Sequence, residues 1–127
     1  MNLVTERVEV DRLRRCGLIV ADMLDQLTAQ VKAGVTTAYI DQLAAQMIAD
    51  AGALSAPRKV YNFPGSICLS LNDEAVHGIP GERVIQPGDV VKVLTAVVGL
   101  ELQPQRASAS GPVAGLPVQA MADNVPE

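Results

Sequence analysis

The sequence predicts an α+β fold, because two segments with helical apolar spacing come first and segments with strand spacing follow. Its 127 residues suffice for one small hydrophobic core, and therefore for one domain. Apolar residues make up 49% of the chain and the mean hydropathy is +0.23, which favours collapse over disorder. With 2% aromatic residues and no Trp, that core must be built from many aliphatic contacts.

From Val10 to Val31, the residues Val10, Leu13, Gly17, Val20, Leu24, Leu27 and Val31 recur every three or four positions, so a helix is expected near residues 5–33. Lys32, Ala33 and Gly34 end it with a cation and a glycine. Thr36 or Thr37 can cap a second helix near 37–51, whose buried face is Ile40, Leu43, Ala44, Met47, Ile48 and Ala51, with Gly52 closing it. Between Ala53 and Pro64 two prolines and no clear period indicate a connection with at most a short extended piece. Ile67, Leu69 and Leu71 then alternate with Ser66, Cys68 and Ser70, which predicts a strand near 66–72 turning at Asn72-Asp73. A shorter extended piece is expected near 75–78. The continuously apolar run from Val90 to Val98 predicts a buried strand near 89–98. Beyond Gly99 periodicity is lost among prolines and glycines, so residues 103–127 are expected to form a poorly ordered tail, with at most a turn of helix from Val118 to Asp123.

A net charge of -4 and a pI near 4.9 offer no basic surface for phosphates, so nucleic-acid binding is not expected. The one basic cluster, Arg12, Arg14 and Arg15, suits a solvated helix face paired with nearby acids. Cys16 and Cys68 are far apart in a chain with no signal-peptide-like segment, which fits free thiols in a reducing cytoplasm. No apolar run approaches the roughly 20 residues that span a bilayer.

The single histidine, His77, lies in Val-His-Gly-Ile-Pro, where Gly78 and Pro80 make a stiff turn. Such a turn would hold an imidazole beside a substrate, although a lone His in an apolar setting is more often structural. Asp73 and Glu74, next to it, read as solvated turn residues.

The segment Asn62–Pro80, NFPGSICLSLNDEAVHGIP, resembles type I methionine aminopeptidases of metallopeptidase family M24, and the likeness extends from about Val10 to Val93. It includes Gly34-Val35-Thr36-Thr37, Asp41 and the Pro87-Gly-Asp-Val-Val turn. The resemblance implies residues 1–102 as the N-terminal half of a pita-bread fold, two helices packed on an antiparallel sheet, with residues 103–127 divergent. It also implies that His77 contacts substrate or reaction intermediate, and that Phe63 and Cys68 line the pocket for a methionine side chain, where a thiol and an aromatic edge suit a thioether. Both would equally suit core packing. Cys68 is not expected to act as a nucleophile, since no second histidine is present to activate it.

Enzymes of this family use two divalent ions (Co, Mn, Fe or Zn) held by two aspartates, one histidine and two glutamates. An ungapped match puts Leu94 at the first aspartate and Gln105 at the second, and one-residue shifts restore neither. Asp89 matches a turn residue of the family. No metal is therefore expected on this chain.

The resemblance thus implies a member of the methionine aminopeptidase family, acting on N-terminal methionyl peptides, but in a truncated or degenerate form inactive by itself. Half of a two-part fold would leave sheet surface uncovered and open to self-association. The alternatives are a non-catalytic peptide- or protein-binding module on the same fold and another peptidase of that fold, such as a proline dipeptidase; the HGIP turn and residues 63–71 favour the methionine branch.

Overall fold

A computed structural model describes residues 3–98 and the backbone of residues 120–122. The first helix, α1, spans Arg7–Gln30 and the second, α2, spans Thr37–Asp50. Burial on α1 begins only at Gly17 and continues through Val20, Met23, Leu24 and Leu27, while Leu13 stays 55% exposed. The amino-terminal part of the expected stripe is therefore uncovered. The helix stops at Gln30 because Val31 turns extended (φ -76°, ψ 105°) and its side chain is buried in the core. Thr36, rather than Thr37, caps α2: its hydroxyl accepts from the Tyr39 amide at 3.1 Å. Ile40, Ala44 and Ile48 form the buried face of α2, with Leu43 and Met47 packed beside them.

The connection after α2 holds more structure than its prolines suggest. A two-residue strand, β1 (Leu54–Ser55), leads into a short helix, α3 (Ala56–Tyr61). The Ser55 hydroxyl accepts from the Arg58 amide at 3.4 Å, Pro57 occupies the first turn, and Asn62 ends the helix in the left-handed region (φ 52°).

Strand β2 (Cys68–Leu71) pairs antiparallel with β3 (Val91–Leu94), placing Cys68 opposite Leu94 and Ser70 opposite Lys92. The strand expected over 89–98 is two pieces. The second, β4 (Val97–Val98), leaves the β3 sheet and pairs with β1. Continuous apolarity cannot reveal such a change of partner. A further strand, β5 (Ala120–Ala122), lies on the other edge of β3, where at most a helical turn was expected. The remainder of the expected tail, residues 103–119 and 123–127, lies outside the described residues. The extended piece expected near 75–78 does not form a strand. His77 adopts φ 58°, a left-handed conformation that cannot continue a ladder, and Gly78 alone bonds to β2.

Alternation across β2 and β3 divides the sheet. Ile67, Leu69, Leu71, Val91 and Val93 join α1 and α2 in one core with Val20, Leu27, Ile40 and Ile85. Cys68, Ser70, Lys92 and Leu94 share the opposite face. Thr95, 3% exposed, is the exception in composition: its hydroxyl has no hydrogen-bond partner among the described residues. Since an unpaired buried hydroxyl costs about 1–3 kcal/mol, Thr95→Val is expected to raise stability by about 1 kcal/mol. A urea unfolding midpoint that falls instead would contradict this.

Candidate functional site

Helix α2 and the sheet face bearing Cys68 build the site together. The Asp41 carboxylate, one turn into α2, accepts from the Ser66 amide at 2.7 Å and the Ile67 amide at 3.0 Å, which fixes the entry to β2. Thr37, one turn earlier on the same side of the helix, is buried; its hydroxyl accepts from the Gly81 amide at 2.8 Å and donates to the Gly81 carbonyl at 3.0 Å. One end of one helix thus holds both the start of β2 and the end of the His77 turn.

The turn runs along the edge of β2 that faces away from β3. The Leu69 amide donates to the Gly78 carbonyl at 3.0 Å, and the Gly78 amide donates to the buried Ser70 hydroxyl, also at 3.0 Å. A Cβ on Gly78 would stand 2.0 Å from the Leu69 carbonyl oxygen, so only glycine permits this approach. His77, just before it, is exposed, and so are its neighbours Val76 and Ile79.

The structure therefore brings the His77–Gly78 segment against the strand that carries Cys68. Cys68 itself is 3% exposed, and burial pushes its thiol pKa up, with the Asp41 charge adding to the effect. This is a neutral thiol rather than a nucleophile. Phe63 is half-buried and follows directly on α3, its amide donating to the Pro57 carbonyl at 3.2 Å. A Cβ on Gly65 would meet the Pro80 ring at 2.9 Å, so the loop carrying Phe63 adjoins the His77 turn. Cys16, the second free cysteine, lies on α1; burial raises its pKa against the opposing pull of Arg15.

Two polar clips brace this face. At the far end of β2, Asn72 (φ 55°) donates from its amide to Asp89 at 3.0 Å and accepts from the Val90 amide at 3.0 Å. The Gln86 amide and the Asn72 side chain hold the Asp89 carboxyl below its ordinary pKa, which fits a turn role. Glu74 is not merely solvated, as expected from sequence: its carboxylate pairs with Arg83 and accepts from the Leu71 amide at 3.4 Å. Arg14 pairs with Asp11 at 3.4 Å on the solvent side of α1, as anticipated for the basic cluster.

Lys92 has no counterpart in the sequence reading. Its ammonium donates to the Glu74 carbonyl at 2.7 Å and to the Ala75 carbonyl at 3.2 Å, reaching into the loop that leads to His77. A cation in an otherwise apolar strand was the available signal.

The first expected metal position belongs to Leu94, which shares the sheet face with Cys68 and offers no donor atom. Gln105 lies outside the described residues. Among the described residues no group of three or more His, Cys, Asp or Glu is placed to hold a metal ion. The residues present on this strand do not fit a pair of divalent ions, which require anionic oxygen ligands. No described helix is long and apolar enough to cross a membrane.

Comparison with known proteins finds relatives of this sequence and fold. Methionine aminopeptidase of Staphylococcus epidermidis is 44% identical over 85 residues, covering 67% of this chain and 34% of the relative. Methionine aminopeptidase 1 of Bacillus subtilis is 40% identical over a similar span. The crystal structure of methionine aminopeptidase from Rickettsia prowazekii superposes with a TM-score of 0.72 at 33% identity, over 76% of this chain and 39% of that one. The X-Pro aminopeptidase of Thermotoga maritima, at 19% identity and a TM-score of 0.58, shares the fold alone. The chain thus spans about a third of the length of the curated relatives it matches. The profile of metallopeptidase family M24 matches residues 11–101, more than half of the sequence, and the chain belongs to that family.

Proposed function

We propose that this chain recognises the methionyl N-terminus of a peptide but does not hydrolyse it by itself. The observation that carries the reading is the cross-strand pair of Cys68 and Leu94. The same face keeps a residue matching the methionine pocket and replaces an aspartate of the metal centre with an aliphatic side chain. Family membership and the HGIP turn running along β2 support it further. In this reading Phe63 and Cys68 contact the methionine side chain and His77 faces the scissile amide. Two free thiols, one buried and one half-buried, suit a reducing cytoplasm. Self-association through uncovered sheet surface belongs to the same reading.

Without metal ions to anchor the peptide amine and carbonyl, several kcal/mol of charge interaction are missing, so methionine should bind with a Kd no tighter than about 1 mM. The purified chain should release no methionine from a Met-Ala-Ser peptide with or without added manganese or cobalt. Steady release that a chelator and His77→Ala both abolish would overturn the proposal.

A further inference from the structure

We infer that Lys92 is a positioning residue that holds His77 in its turn. His77 sits between two fixed points. On one side Lys92 binds the carbonyls of Glu74 and Ala75, at 2.7 and 3.2 Å. On the other, Gly78 is bonded to Leu69 and Ser70 of β2, both at 3.0 Å. Only Val76 and His77 lie between them, and the backbone of His77 is left-handed (φ 58°). That conformation is uncommon for a residue with a Cβ, and restraints on both sides help to keep it. The Lys92 ammonium supplies one of the two restraints, through charge-assisted bonds stronger than neutral ones.

The placement of Lys92 explains why it can do this. It lies opposite Ser70 and two residues before Leu94, so its side chain leaves the sheet on the face that carries the Ser70 hydroxyl to which Gly78 is bonded. Its bonds go to main-chain carbonyls, so the restraint depends on the path of the loop and not on the side chains of Glu74 or Ala75. Glu74 is held independently through Arg83 and the Leu71 amide. Lys92 therefore acts mainly on the stretch after Glu74, the one that ends at His77.

Amide hydrogen exchange on the full chain, followed by NMR, tests this. Lys92→Met keeps an unbranched stem and removes the ammonium. The Gly78 amide is expected to exchange roughly tenfold faster and the His77 ring resonances to shift, while the Val93 amide in the core of β3 keeps its protection. Lys92→Arg should restore slow exchange, and the neutral Lys92→Gln should behave as the Met variant does. Unchanged exchange at Gly78, or an equal rise at Gly78 and Val93, would overturn the inference, the latter by showing a merely structural role. A second arm rests on the proposed recognition of methionine: Lys92→Met should weaken methioninamide binding several-fold, and equal affinity in the two proteins would count against the inference. Absence of binding by the unaltered chain would sink the recognition reading alone, leaving the exchange comparison to decide the role of Lys92.

Discussion

Gly78→Ala is expected to destabilise the chain by about 3 kcal/mol or more, among the largest effects of any single methyl group added to it. The new Cβ would lie 2.0 Å from the Leu69 oxygen, 2.6 Å from the Leu69 carbonyl carbon and 2.7 Å from the Ser70 Cα. All three are backbone atoms of β2, so no rotamer change can relieve the contact. The turn must lift away, and both hydrogen bonds that hold Gly78 on the strand are then broken. Gly81→Ala is the internal control: nothing lies within 4 Å of its Cβ, and the change should be close to neutral. Urea unfolding of the two variants checks the pair, and a Gly78 variant within about 0.5 kcal/mol of the parent would show that the turn does not lie where the structure puts it.

Asp41→Ala should cost about 3 kcal/mol, by leaving two main-chain donors without a partner. Its Oδ1 serves both the Ser66 and Ile67 amides, and Ser66 and Ile67 are themselves buried. Water reaches that position poorly, so each N–H bears much of its desolvation cost. Asp41→Asn keeps an oxygen of similar reach and should lose about 1 kcal/mol, the difference between a charged and a neutral acceptor. Thermal unfolding of the three proteins side by side distinguishes these outcomes. Equal losses for Ala and Asn would mean that charge, rather than the paired hydrogen bonds, makes Asp41 important.

Much of this fold was legible because its helices are long and one-sided. Ile40, Leu43, Ala44, Met47 and Ile48 announce α2 by spacing alone, and Ile67, Leu69 and Leu71 announce β2. The helix α3 escaped notice because six residues cannot display a period, although Ser55, Pro57 and Asn62 mark its ends. The division of the 89–98 run into two strands was hidden for another reason: Val93 and Val97 are equally apolar, and only their partners differ. At the candidate site, the family resemblance singled out the HGIP turn and Cys68. The supports could not. Thr37 and Gly81 are 44 positions apart, and Lys92 reaches carbonyls 17 and 18 residues away, contacts that leave no local pattern.

The two segments that meet over β2 owe their alignment to a shared foundation. Thr37 secures Gly81, and Asp41 secures Ser66 and Ile67, all from the first two turns of α2. Those turns are themselves stabilised by the Thr36 cap. Fraying at that one helix end would release the anchor at the start of β2 and the anchor at the end of the histidine turn in the same event. The residue that guards both anchors, Thr36, belongs to neither segment.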